Sequence, residues 1–176
     1  MSVNPDPGSG WNRSRSDAWL RACTMWGIGE ARLAPGTWGS LAALLAGYGL
    51  SVAFRKAGWG EAEWTVYAAL ALLASLATLQ AGRHAEEVWG KDPSRVVSDE
   101  AAGMWLTLLL LPPAGADPEW LRLSVAFILF RFFDIAKPFG IRSLQKIKGG
   151  LGILLDDLVA AIAAGGIGAA AYRLLG

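Results

Sequence analysis

Apolar residues in this chain fall in long blocks rather than in alternation. Residues 33–54 carry no charge, although Pro35, Gly36 and Gly39 interrupt the start. Residues 64–82 are again uncharged and dominated by Ala and Leu. A third uncharged run covers 101–116 and is closed by Pro112 and Pro113. Residues 120–137 are apolar apart from Arg122, Arg131, Asp134 and Lys137, and Pro138 ends that run, since proline cannot continue a helix. Residues 149–172 are apolar except for Asp156 and Asp157. Blocks this long and this rich in Ala and Leu read as helices, not strands. The fold expected is all-α: a compact bundle of about five to six helices, membrane-embedded or membrane-associated. A spanning helix needs about 20 apolar residues. Residues 64–82 and 149–172 meet that length, 33–54 and 120–137 meet it marginally, and 101–116 is short.

Composition agrees with an apolar environment. Hydrophobic residues make up 53% of the 176 and charged ones 18%, below the roughly 25% of an average soluble domain. Residues 1–18 are polar and rich in Pro, Gly and Ser, with no apolar stretch after the start, so they read as a disordered tail rather than a secretory signal. Residues 19–176 then form a single helical domain.

The charge distribution orients the chain. If each block crosses a bilayer once, alternating direction, 12 of the 16 Lys and Arg residues fall on the side holding the N-terminal arm, 83–100 and 131–150. The positive-inside rule assigns that side to the cytoplasm. Trp59, Trp64 and Trp120 fall at the opposite boundary, where indole rings favour the interface. A net charge of +1 and the lack of a basic stripe leave no footprint for nucleic acid. One cysteine, Cys23, excludes an internal disulfide and a cysteine-rich zinc site. One histidine, His84, has no nucleophile elbow around it.

Four stretches depart from ordinary bundle sequence, and all lie on the side assigned to the cytoplasm. In Ala34-Pro35-Gly36-Thr37-Trp38-Gly39-Ser40 a turn leads into a helix, with hydroxyls at Thr37 and Ser40. A helix start of this kind binds phosphate through its backbone N–H groups, or is only a cap. Around Asp92 and Asp99-Glu100 the acids suit the dipole of a first helical turn. Adjacent residues point about 100° apart, so one of Asp99 and Glu100 can bind a metal while the other orients it or holds a second ion. Arg131, Asp134 and Lys137 form a stripe among phenylalanines, and cations beside a carboxylate suit a phosphate ester. Asp156 and Asp157 sit about one turn inside an apolar helix. Each intramembrane acid costs roughly 2.5–3.5 kcal/mol, so this pair needs a metal or cations to offset it.

The candidate metal ligands are therefore Asp92, Asp99, Glu100, Asp134, Asp156 and Asp157. All-oxygen donor sets suit Mg2+ or Mn2+ rather than zinc. Of these acids, Asp99, Glu100, Asp134, Asp156 and Asp157 are the catalytic candidates. Gly36, Thr37, Ser40, Arg131 and Lys137 are the substrate-binding candidates.

In these residues the chain resembles the phosphatidylglycerophosphatase A family. The resemblance runs over residues 24–172 and rests on four motifs in order. They are Ala34-Pro35-Gly36-Thr37-x-Gly39-Ser40-Leu41; Asp92-Pro93 with Val97-x-Asp99-Glu100 and Gly103-Met104; Phe130-Arg131-x-Phe133-Asp134-x-x-Lys137-Pro138; and Gly149-Gly150-Leu151-Gly152-Ile153 with Asp156-Asp157. It implies a Mg2+-dependent phosphomonoesterase at the bacterial inner membrane that converts phosphatidylglycerol phosphate to phosphatidylglycerol. Three positions depart from the pattern. Gly140 stands where a proline is usual, Gln145 where an acid is common, and Ala161 where glycine is frequent.

The partners implied are phosphatidylglycerol phosphate and the lipid bilayer, with homo-oligomerisation left open. Two other classes compete. A small cation-coupled transporter would place acids near mid-bilayer and show an internal repeat. A non-catalytic helical membrane protein would use the acids as caps and bind no Mg2+.

Overall fold

Six α-helices and one short 3-10 turn build the computed structural model, which describes residues 13–59, 63–113, 118–138, 147 and 149–175. The helices are α1 (Arg13–Cys23), α2 (Pro35–Lys56), α3 (Glu63–Trp89), α4 (Ser98–Leu110), α5 (Glu119–Ala136) and α6 (Gly150–Leu175), and the 3-10 turn is Ile28–Glu30. No strand occurs among the described residues. The expected all-α bundle is what is found. Helix α1 begins at Arg13, inside the stretch read as a polar tail, while residues 1–12 lie outside the described residues.

Each boundary has a local cause. Pro35 occupies the first turn of α2, where its missing N–H costs nothing. Pro112 and Pro113 follow the end of α4. Helix α5 ends when Lys137 turns left-handed (φ 43°) and its N–H closes on the Phe133 carbonyl. Helix α3 runs past the uncharged block to Trp89, with Arg83 and Glu87 paired at 3.6 Å on its exposed face. The uncharged block ends at Gly82, and the last two turns of the helix carry Arg83, Glu86 and Glu87.

Helices α2 to α6 alternate in direction around one core. Tyr67, Met104, Leu108, Phe130 and Ala160 are fully or almost fully buried there. Helix α1 lies against the end of this bundle. Its Cys23 packs with Ala81 and Ala85 of α3, Val96, and Ile153 of α6. The indole of Trp105 donates to the Ala43 carbonyl at 2.7 Å, joining α4 to α2. Trp105→Phe is expected to lower stability by about 1–3 kcal/mol, from the lost bond and the smaller ring. Thermal unfolding in detergent measures it.

Helices α2, α3 and α6 are long and apolar enough to cross a membrane. Among the described residues, α4 and α5 do not reach that standard. With 13 residues, α4 is about 20 Å long. Leu45, Leu72, Leu73, Ile128 and Ile162 project outward, 57–65% exposed, as expected for a surface solvated by lipid. Arg122 lies at the end of the bundle where α4 and α3 have their far termini. It donates to Glu63 at 3.0 Å, Glu119 at 2.9 Å and the Leu108 carbonyl at 2.9 Å.

Candidate metal and phosphate site

Alternation of the helices has a direct chemical consequence. The starts of α2, α4 and α6 and the ends of α3 and α5 share one end of the bundle, so the four unusual stretches meet there. Asp99 and Glu100 occupy the first turn of α4, and Asp157 comes from α6. One carboxylate oxygen from each lies within 4.8 Å of the other two. Gly103, one turn further along α4, lets this approach happen, because a Cβ there would overlap the Phe130 ring.

This triad is buried rather than solvated. Asp99 is 7% exposed and Asp157 3% exposed. That is not the setting of acids that merely answer a helix dipole at the surface. Burial holds the Asp99 carboxyl well above the ordinary carboxylate range, and the charges of Glu100 and Asp157 push it the same way. Burial also raises Glu100, to about 7, with the Asp99 hydrogen bond acting against it, the Asp134 charge adding to it and the Arg131 charge opposing. Among the described residues, Asp99 Oδ1, Glu100 Oε2 and Asp157 Oδ2 are buried without a hydrogen-bond partner. Such atoms are costly unless something fills the site. Three convergent oxygens of this kind fit a hard divalent cation.

The other predicted acids are placed differently. Asp134 accepts from Arg131 and lies 3.7 Å from Lys137 Nζ. Asp156 accepts from the Lys137 ammonium. Both are therefore engaged by cations at the edge of the triad. Asp92 (φ 50°) is not in the triad. The residue as a whole is exposed, but partial desolvation raises its carboxyl, and the charge of Asp156 nearby adds to the shift.

The substrate-binding candidates also assemble. Arg131 Nη2 donates to Thr37 Oγ1 at 3.3 Å and Nη1 to Ser40 Oγ at 3.4 Å. Ser40 in turn donates to the Gly36 carbonyl at 2.8 Å. A Cβ at position 36 would overlap Glu100 Oε1 and press on Arg131, so a side chain there would displace the Glu100 carboxylate. The N–H groups of Thr37 and Trp38 are both taken by the Ala34 carbonyl, and Pro35 has none. An anion here thus meets a guanidinium and the Thr37 hydroxyl rather than a row of open amides, the Ser40 proton being held by the Gly36 carbonyl. Arg131 Nε is buried with no partner among the described residues, a donor in want of an acceptor. Lys137 completes the rim. Its left-handed backbone is uncommon outside glycine and Asn, and it turns the ammonium back onto Asp156.

Two features were not visible in the sequence. Thr78 of α3 and Ser98 of α4 form a buried hydroxyl pair at 2.6 Å. Glu86 accepts the Gly149 N–H at 2.8 Å, just before α6. Isolated Ser, Thr and Glu residues in helical sequence give no signal of such contacts.

Comparison with known proteins supports the same region. The family model for phosphatidylglycerophosphatase A matches residues 21–172. A Bacteroides thetaiotaomicron protein named "Putative phosphatidylinositol-3-phosphatase" is 40% identical over 139 residues, covering 79% of this chain and 84% of the relative. Phosphatidylglycerophosphatase A of Escherichia coli is 30% identical over 154 residues, covering 86% of this chain and 82% of the relative. The Haemophilus influenzae protein of the same name is 36% identical over 137 residues, 77% of each chain. No solved structure matches the chain. Motifs, bundle and relatives agree, and the chain belongs to the phosphatidylglycerophosphatase A family.

Proposed function

We propose that this protein hydrolyses the phosphate monoester of phosphatidylglycerol phosphate, with Mg2+ held by Asp99, Glu100 and Asp157, at the cytoplasmic face of the bacterial inner membrane. The observation that carries the reading is the buried triad of carboxylates with unpartnered oxygens, set beside an arginine whose Nε also lacks a partner. When bound, Mg2+ supplies Lewis acidity toward the phosphoryl oxygens and toward water. The chain's own residues do the positioning. Arg131, braced by Asp134, Thr37 and Ser40, presents a planar fork to the phosphate. Lys137, braced by Asp156, adds a second positive charge. The surrounding core keeps bulk water away, which strengthens both interactions. A transporter reading fits less well, because the acids gather at one end of the bundle rather than at its middle.

A second substrate is favoured by one observation. The relative that is 40% identical carries the name of a phosphatidylinositol-3-phosphatase. Both lipids present a phosphate monoester on a glycerophospholipid headgroup, so the site chemistry described suits either. Phosphate release from each lipid in detergent micelles, with and without a chelator, separates the readings. Faster release from phosphatidylglycerol phosphate, abolished by chelator and restored by Mg2+, is expected. Preference for the inositol lipid would transfer the assignment to it. Release that survives chelation would overturn the role of Mg2+.

A further inference from the structure

The hydroxyl pair between α3 and α4 has no role in the chemistry above, yet it sits directly behind it. Thr78 is fully buried and Ser98 is 2% exposed. Ser98 is the first residue of α4, and Asp99 and Glu100 follow it immediately. Thr78 Oγ1 donates to the Ala74 carbonyl one turn back, at 3.1 Å. Its single proton is thereby used, so in the 2.6 Å contact Ser98 is the donor and Thr78 the acceptor. The result is a directed chain from Ser98 to Thr78 to the Ala74 carbonyl. Among the described residues Ser98 Oγ has no other hydrogen bond.

The same turn of α3 also carries α6. Gly150, the first residue of α6, lies so close that a Cβ there would overlap the Thr78 carbonyl, and Gly82 lies as close to Gly150. Small residues at a helix crossing permit this approach. Asp157 follows about two turns along α6. One turn of α3 therefore fixes the starts of both helices that carry the triad.

We infer that Thr78 is a positioning residue: its hydroxyl holds Ser98, and with it Asp99 and Glu100 at the start of α4, in place against Asp157 on α6, whose start rests on the backbone of the same turn, and so it sets the affinity of the site for a divalent cation. The inference rests on the proposed metal triad. Groups that orient metal ligands typically change affinity by about 10–100-fold when removed.

The hydroxyl contact can be broken from either side and restored from one. Thr78→Val keeps the shape but leaves the Ser98 hydroxyl buried without an acceptor. Ser98→Ala leaves Thr78 still bonded to Ala74. Thr78→Ser restores the acceptor. The measurement is the Mg2+ dissociation constant by calorimetry on the full chain in detergent, with helicity checked by circular dichroism. Thr78→Val and Ser98→Ala are each expected to weaken binding about tenfold or more, and Thr78→Ser to return close to wild type. Thr78→Ala, which cannot overpack, gives the same loss and serves if the valine variant does not fold. Unchanged affinity in Thr78→Val or Thr78→Ala overturns the inference, as does failure of Thr78→Ser to rescue. A wild-type chain that binds no Mg2+ overturns instead the proposed function on which it rests.

Discussion

Asp157→Asn is expected to lower phosphate release by about 10³-fold, while the metal-free protein becomes more resistant to heat. The two effects have one cause. Asp157 presents a buried oxygen to Asp99 and Glu100, within 4.8 Å of both ligand atoms. With a cation bound, that oxygen is a ligand, and losing it removes several kcal/mol of charge stabilisation; about 4 kcal/mol corresponds to a thousandfold in rate. Without a cation, the buried carboxyls resist ionising together, and removing one of them lowers the cost of the charge that remains. Asn keeps the shape, so packing with the rest of α6 is retained. Asp99→Asn should behave the same way. Asp156→Asn should not. Asp156 accepts from Lys137 and lies outside the triad, so its loss should cost roughly 10–100-fold in release and leave Mg2+ affinity almost intact. Thermal unfolding with and without Mg2+, beside phosphate release, measures all three. If Asp156→Asn lost Mg2+ binding while Asp157→Asn kept it, the division of roles drawn here would be reversed.

That division could not be read from the chain. Asp156 and Asp157 are adjacent, and in sequence both are acids that an apolar helix should not tolerate. They point about 100° apart, so their partners depend on which neighbouring helix each faces, a tertiary fact. The gathering of the four motifs at one end was legible, because helices that alternate in direction bring the starts of α2, α4 and α6 and the ends of α3 and α5 together. The convergence of Arg131 with Thr37 and Ser40 was only half visible. The residue types suggested phosphate, but two amides of this helix start, those of Thr37 and Trp38, are taken by the Ala34 carbonyl. Helix α1 was missed because its sequence is polar; it is held by a few contacts such as Cys23 against Ala85, which leave no periodic run. The Thr78–Ser98 pair was invisible for a related reason. Its meaning lies in a 2.6 Å contact between residues twenty apart, each unremarked in its own helix.

Arg131→Lys is expected to cut kcat/KM for the lipid phosphate by about 10²-fold, even though the charge is kept. The guanidinium reaches Thr37, Ser40 and Asp134 at once, from two nitrogens. A lysine ammonium is a single point and cannot span those three partners. It also has no counterpart to Nε, the buried donor that lacks an acceptor among the described residues. In the proposed function a phosphate oxygen would supply that acceptor, so most of the loss should appear as weaker binding of phosphate itself. Inhibition by inorganic phosphate should weaken in parallel with the rise in KM. Mg2+ affinity should stay close to wild type, because Arg131 faces the triad from the α5 side without joining it. Arg131→Ala should be worse in another respect. Among the described residues it leaves Asp134, 7% exposed, with Lys137, at the longer 3.7 Å, as its one cation, and an under-compensated buried carboxylate destabilises the fold. The lysine variant therefore isolates recognition from folding. An unchanged inhibition constant for phosphate in Arg131→Lys would show that the anion binds elsewhere, and Lys137 would then be the cation to test next.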